Sequence, residues 1–208
     1  GAKNRGAKPA HARGSMDLRM CGAGHGAECT AVGGRDVTDA GRGGARWYGS
    51  LAMDPLAASP WSRPGTVAGF VASPPNATLL RFVESRAPRG ERLRILDIGG
   101  GAGRNACPLA DRGHDVIVLD LSGPMLQAGR NREARGLRRP AFALAPMDRL
   151  PVRDRAFDIV IAHGIWNLAR SGDEFRAGVR EAARVSRPGA GLFVFTFSRH
   201  TLPEDLPP

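Results

Sequence analysis

The chain has 208 residues, 42% of them hydrophobic, which is enough for one α/β domain with a smaller appended segment. No apolar run reaches the roughly 18 residues of a membrane helix, no segment resembles a signal peptide, and three cysteines make no disulfide framework. We therefore expect a cytoplasmic protein with no membrane partner. The net charge of +10 invites a nucleic-acid interpretation, but arginines spread along the chain indicate a compositional bias, so nucleic acid is not the expected partner.

Residues 1–46 are rich in Gly, Ala and Arg and show no sustained apolar period, which predicts a disordered arm. Cys21, His25 and Cys29 are four positions apart, a spacing that metal ligands can have. The glycines around them disfavour an aligning helix, and no second ligand pair follows. We therefore predict no metal site.

Residues 47–92 form an N-terminal segment of loops and helices. Repeated prolines make residues 47–75 loop-rich, with at most one short helix. Asn76 is a suitable N-cap for a helix predicted over residues 78–86, which leads towards the first strand.

A βαβ unit follows over residues 93–126. An apolar strand at 93–98 runs into the glycine turn 99–103, a helix carries apolar residues up to Gly113, and a second apolar strand ends on Asp120. Glycines let backbone N–H groups approach a ligand closely, and an acid at the end of the second strand can accept hydrogen bonds from ribose hydroxyls. The unit therefore predicts a nucleoside site.

The spacing of the turn decides between ligands. Arg104 stands where the dinucleotide fingerprint needs its third glycine, which disfavours an NAD(P)-dependent enzyme. Asp97-x-Gly99-x-Gly101-x-Gly103 instead resembles motif I of the class I S-adenosylmethionine (SAM)-dependent methyltransferases. Asp120-Leu121-Ser122, followed by Met125-Leu126, resembles the second-strand motif of the small-molecule branch of that family, of methyltransferase type 11 or 25.

The resemblance implies SAM as the cofactor, S-adenosylhomocysteine as the product, and a small-molecule acceptor. It places Asp97, Gly99, Gly101, Gly103, Asp120 and Leu121 around the cofactor. It sets Asp148 against the adenine amino group and Met147 against the ring. His163 is either a general base or a cofactor contact through its backbone, and Trp166 and Asn167 are substrate candidates. In the family the N-terminal segment folds over the cofactor, so Trp47, Tyr48, Trp61 and Phe70 could form a lid or simply cover the sheet.

The remaining elements complete a Rossmann-like three-layer αβα sandwich. We predict a helix from Ser122 to about Arg135, strands at 141–145 and 157–163, a helix at 173–185 closed by the turn 187–189, and a last strand at 192–197. The resemblance implies a mostly parallel sheet of order 3-2-1-4-5. The core then spans residues 93–198, and residues 199–208 are a tail.

The family normally continues beyond the fifth strand with further strands that this sequence lacks, so the fifth strand should become a sheet edge. Unpaired apolar edges promote aggregation. We therefore expect either a fragment of a longer protein or an edge covered by a partner subunit, as in a homodimer, or by residues 66–73.

These observations predict a SAM-dependent methyltransferase that acts on a small molecule. Two alternatives remain. One is an RNA methyltransferase, for which the basic residues Arg130, Arg132, Arg135, Arg138 and Arg139 could form a binding patch in place of a solvated helix face. The other is a non-catalytic SAM-binding module.

Overall fold

A computed structural model describes residues 54–133, 135–136 and 138–197 of the chain. The predicted arm at 1–46, the cysteines and histidine within it, Trp47, Tyr48 and the tail at 199–208 lie outside the described residues.

The described residues contain five α-helices and five strands. In chain order they are α1 (Pro64–Ala72), α2 (Ala77–Arg86), β1 (Arg94–Ile98), α3 (Ala106–Asp111), β2 (Asp115–Asp120), α4 (Gly123–Arg130), β3 (Ala141–Leu144), β4 (Phe157–His163), α5 (Gly172–Val185) and β5 (Ser186–Phe195). Short 3-10 turns at Pro60–Ser62 and Trp166–Leu168 precede α1 and α5, respectively.

The five strands form one parallel sheet of order β3-β2-β1-β4-β5, as predicted. One face packs against α2, α3 and α4, where Leu79, Leu109 and Leu126 are fully buried. The other face packs against α5 through Ala182 and Val185. This is the predicted three-layer αβα sandwich. The strand order reverses between β1 and β4, and open α/β sheets bind their ligands at such a switch point, outside the carboxyl ends of the strands.

Two elements differ from their predicted bounds by more than one residue. Helix α4 ends at Arg130 rather than near Arg135, and Asn131 caps it. Strand β5 begins at Ser186, so residues 187–189 lie inside the strand and not in a turn that closes α5. Phe157 pairs with Ser186 but Ile159 pairs with Gly191, and β5 therefore bulges in this interval.

Strand β5 is an edge of the sheet within the described part of the chain. Leu192 and Val194 on its α5 side are 47% and 42% exposed. The prediction that residues 66–73 cover this edge is wrong. Helix α1 packs against α4 instead, towards the opposite edge of the sheet. Cover by a partner subunit stays a prediction.

Candidate functional site

The glycine turn after β1 adopts backbone conformations that favour glycine. Gly99, Gly101 and Gly103 have φ values of 68°, 53° and 70°. A Cβ on Gly99 would lie 2.6 Å from the side chain of Ile165, so the loop after β4 rests directly on the turn. Gly101 is buried, and a Cβ on it would be in ordinary van der Waals contact with Met125 Sδ at 3.7 Å and Asp120 Oδ2 at 3.8 Å.

Asp120, the last residue of β2, lies beside the glycine turn and contacts it. Its Oδ2 accepts a hydrogen bond from the Gly101 N–H at 2.9 Å, and its Oδ1 accepts one from the Ser122 N–H at 2.8 Å. Burial raises the pKa of this carboxyl, and the backbone donors of Ser122, Gly101 and Leu121 oppose that shift. A carboxylate has about four acceptor positions, so Asp120 retains capacity for ligand hydroxyls. Leu121 is half-buried beside it.

Asp97 lies beneath the turn at the end of β1. The residue is 1% exposed, and neither carboxylate oxygen has a hydrogen-bond partner among the described residues. Burial, reinforced by the nearby Asp120 charge and opposed by Arg104, raises its pKa to about 7. A buried acid without a partner is costly, which makes Asp97 a candidate for interaction with a positively charged ligand group.

His163 ends β4, and its imidazole is already engaged. Its Nε2 lies 3.0 Å from Asn76 Nδ2, its Nδ1 lies 3.5 Å from an Arg104 guanidinium nitrogen, and its ring stacks on Phe195 with centroids 4.4 Å apart. Burial, followed by the Arg104 charge, lowers the pKa of His163. A general base needs a lone pair aimed at its substrate. Because Nε2 faces the Asn76 amide, the side chain is better placed as a wall of the crevice.

The loop after β4 separates the two predicted substrate residues. Trp166 packs towards α5, edge-on to Phe175 at 6.0 Å between ring centroids, and its indole N–H is buried without a partner among the described residues. Asn167 accepts a hydrogen bond from the Thr196 hydroxyl at the end of β5. The assignment of these two residues to a substrate stays a prediction.

Met147 and Asp148 follow β3, at the same end of the sheet as the turn. Met147 is buried against the α5 side of the core. Asp148 is half-buried and lines an open cleft of about 540 Å³ with Arg170, Ser171 and Glu174 at the start of α5. The two residues therefore lie where a ring beyond the Asp120 position could be recognised, and their roles stay predictions.

Residues 54–72 pack over the junction of β2 and α4. Asp54 accepts a hydrogen bond from the Gly123 N–H at 3.2 Å, and the Ser122 hydroxyl lies 3.2 Å from that of Ser62. Trp61 and Phe70 pack edge-on with centroids 5.9 Å apart, and Phe70 lies 6.0 Å from the Arg104 guanidinium. The segment thus approaches the carboxyl end of the sheet, as a lid or a cover would.

Three site residues were not predicted from the sequence. Arg104 projects towards His163, Asn105 is buried and accepts the Asn76 N–H at 2.9 Å, and Asn76 joins α2 to β4 through His163. Asn76 was identified only as a helix cap. Arg104 and Asn105 follow Gly103 directly, but their hydrogen-bond partners lie 29 or more positions away, and no local pattern in the sequence indicates these contacts.

The basic cluster after α4 is largely engaged within the fold. Arg130 donates to the Phe142 carbonyl, Arg132 to the Val71 carbonyl, and Arg138 pairs with Asp115 at 2.7 Å. A cavity of about 180 Å³ near these residues is lined by Pro140 and Phe142 of the β3 region and by Cys107 of α3. These contacts favour structural roles over an RNA-binding patch.

The described residues contain neither a cluster of metal ligands nor a helix able to span a membrane. No set of three or more His, Cys, Asp or Glu side chains in them is arranged to hold a metal ion. None of their helices combines the length and the hydropathy that a membrane crossing requires.

The chain is similar in sequence to known methyltransferases. A family model described as a methyltransferase domain matches residues 95–189. The demethylmenaquinone methyltransferase of Corynebacterium urealyticum is 36% identical over 111 residues, covering 53% of this chain and 44% of that protein. The protein of the same name from Corynebacterium efficiens is 34% identical over 136 residues, covering 61% and 55%.

Solved structures agree with the fold. A protein solved in work on the conversion of a disulfide bond into a thioacetal group during echinomycin biosynthesis is 30% identical, with a TM-score of 0.50. The likeness covers 57% of this chain and 48% of that one. The chain spans about half the length of the curated relatives it matches.

Proposed function

We propose that the chain is a class I SAM-dependent methyltransferase, which binds SAM at the carboxyl end of its sheet and methylates a small molecule. The match of residues 95–189 to a methyltransferase domain supports this proposal. The observation that carries the proposal is the Asp120 carboxylate beside the glycine turn, whose two oxygens are aligned by the backbone N–H groups of Gly101 and Ser122. A ribose placed there would meet a pre-oriented acceptor.

The residues present fit this cofactor. Asp120 would accept the ribose hydroxyls, and the glycine turn would admit the ligand without Cβ contacts. Asp148 would accept from an exocyclic amine, with Met147 as the apolar wall. The buried, unpartnered Asp97 would be balanced by a cationic group above the turn. When bound, SAM supplies an electrophilic methyl group on a sulfonium sulfur.

The protein's part in the reaction is mainly alignment and exclusion of water. Residues 54–72 and the loop after β4 cover the crevice from two sides, and Ile165 seals the turn. Holding two reactants in line contributes roughly 7–11 kcal/mol to lowering a barrier. His163 would take no proton in this reaction, because its Nε2 is hydrogen-bonded to Asn76. Methyl acceptors that lose their proton readily without a general base are therefore favoured.

The acceptor is proposed only as a small molecule. The relatives are named for demethylmenaquinone, but the likeness covers only 44% and 55% of their lengths. Demethylmenaquinone in reduced form is the first acceptor to assay.

The test is calorimetric titration with S-adenosylhomocysteine and, as a control, NAD. Micromolar binding of the first alone supports the proposal, and transfer of radiolabelled methyl from SAM to an acceptor then tests the activity. Binding of NAD in preference, or of neither ligand, would refute the cofactor assignment.

A further inference from the structure

Residues 54–62 reach the amino end of α4 through the carboxylate of Asp54. Its Oδ1 accepts hydrogen bonds from the N–H groups of Leu56 at 3.1 Å and Gly123 at 3.2 Å. Gly123 is the first residue of α4, so its N–H has no partner within the helix. Burial favours the neutral acid, but hydrogen bonds from Ser62, Gly123 and Leu56 outweigh it and hold the pKa of Asp54 below its ordinary value. Asp54 therefore places a negative charge at the positive end of the α4 dipole.

Ser122 connects the same segment to the acid of the candidate site. This residue is fully buried, and its hydroxyl lies 3.2 Å from the Ser62 hydroxyl and 3.3 Å from the Trp61 carbonyl. Its backbone N–H donates to Asp120 Oδ1 at 2.8 Å, and the other oxygen of that carboxylate accepts from the glycine turn. Hydrogen-bonded contacts therefore run without a break from the segment, through Ser122, to the Asp120 carboxylate and the turn.

Apolar burial contributes little to holding this part of the chain in place. None of residues 54–72 is buried, although α1 carries no charged side chain. Trp61 and Phe70 contact each other, and Phe70 flanks the Arg104 guanidinium at the crevice. Segments with little buried apolar surface open at a low free-energy cost, so the polar contacts of Asp54 contribute a large share of the stability of the closed arrangement.

We propose that Asp54 is a positioning residue that holds residues 54–72 over the crevice and, through Ser122, aligns the Asp120 carboxylate with the bound nucleoside. The inference rests on the proposed function and adds a coupling between the covering segment and the cofactor site. A ligand held by Asp120 would leave the crevice only after the segment opens. Because coupling between two sites is reciprocal, the bound ligand should in turn stabilise the segment against opening.

The experiment measures the dissociation of S-adenosylhomocysteine by stopped-flow displacement from the wild-type chain, from Asp54→Ala and from Asp54→Asn. We expect the ligand to dissociate about 10-fold faster from Asp54→Ala, the lower end of the range for a charge-assisted hydrogen bond. Asp54→Asn keeps an oxygen that can accept from the same two N–H groups, so it should recover part of the loss. Asp154→Ala is the matched control. Asp154 is 69% exposed, pairs with Arg184 before β4, at the opposite end of the sheet, and its removal should leave the dissociation rate unchanged.

Amide hydrogen exchange tests the reciprocal effect. S-adenosylhomocysteine should slow exchange in residues 54–72 of the wild-type chain by the same factor, about 10-fold, and in Asp54→Ala by less than about twofold. Equal exchange of β1 and β4 in the two ligand-free chains shows that the variant is folded.

Three results would overturn the inference while leaving the proposed function intact. They are an unchanged dissociation rate in Asp54→Ala, equal protection of residues 54–72 by the ligand in both chains, and absence of that protection in the wild-type chain. The last result needs no variant. Absence of S-adenosylhomocysteine binding by the wild-type chain would overturn both the inference and the proposed function.

Discussion

Asp97→Asn should stabilise the ligand-free protein in a pH-dependent way. Burial raises the pKa of Asp97 from its ordinary value of 3.8 to about 7, with Asp120 adding to the shift and Arg104 opposing it. A difference of one pKa unit between the folded and unfolded states corresponds to about 1.36 kcal/mol in the free energy of unfolding. The ionised carboxylate therefore lowers the free energy of unfolding by about 4 kcal/mol above pH 7.

The sign follows from the direction of the shift. A carboxyl whose pKa is raised on folding does not lower the free energy of unfolding at a pH below its pKa in the unfolded state. Above that pH the destabilisation grows until the pH passes the pKa of the folded state. The wild-type chain should thus lose stability between about pH 4 and pH 7. Asparagine has similar volume and no charge. The advantage of Asp97→Asn over wild type should increase by about 2–3 kcal/mol from pH 5 to pH 8.

Urea unfolding of both chains at pH 5, 6, 7 and 8 measures this difference directly. S-adenosylhomocysteine provides the control, because its ammonium group should stabilise the Asp97 carboxylate and flatten the pH dependence of the wild-type chain only. A difference between the two chains that stays constant from pH 5 to pH 8 would refute the assignment of Asp97 as an unpaired buried acid.

Three further predictions concern the turn, the ribose acid and the sheet edge. Asp120→Ala should weaken S-adenosylhomocysteine binding by about 1–3 kcal/mol in calorimetry, and unchanged affinity would remove the ribose assignment. Gly99→Ala should lower the free energy of unfolding in urea by about 1–3 kcal/mol, because its φ is 68° and a Cβ would meet a neighbour at 2.6 Å. Its control, Gly65→Ala in α1, has no atom near the added Cβ, so a similar loss there would contradict the reasoning. Leu192→Glu should reduce self-association in sedimentation velocity if a second copy covers β5, and an unaltered monomer would exclude that cover.

Elements with local signals were predicted well. Asn76 and Ser122 accept backbone N–H groups at the starts of α2 and α4, as their side chains suggested. Strand β4 has its predicted bounds, because its apolar run is bordered by polar residues and a glycine. The strand order was implied by the family resemblance and is confirmed.

The wrong boundaries have tertiary causes. Helix α4 passes so close to β3 that a Cβ on Gly129 would lie 2.4 Å from the Phe142 ring. Beyond that contact Arg130 and Arg132 bind carbonyls of β3 and α1, and the chain leaves the helix. Strand β5 starts before its predicted first residue because Ser186 pairs with Phe157 of β4. These residues are 29 positions apart, so no local pattern in the sequence predicts the pairing.

The candidate site also combines residues with a local sequence signal and residues whose contacts are tertiary. Asp97, Asp120 and the glycines occupy positions fixed by one βαβ unit, so the spacing of the unit, with the family resemblance, was enough to predict that they lie together. The surroundings of Arg104 and His163 depend on Asn76, which caps the N-terminus of α2, before the βαβ unit. The amide of Asn76 makes two separate sets of hydrogen bonds. Its oxygen caps α2 and its nitrogen fixes the imidazole tautomer. Because the cap determines which way the amide points, the stability of α2 and the polarity of the crevice are coupled through a single side chain. The Asp97 carboxylate, buried without a donor among the described residues, is a further cost to the ligand-free fold. A cationic ligand group would remove that cost, and ligand binding should therefore stabilise this protein more than the area of its contacts alone would suggest.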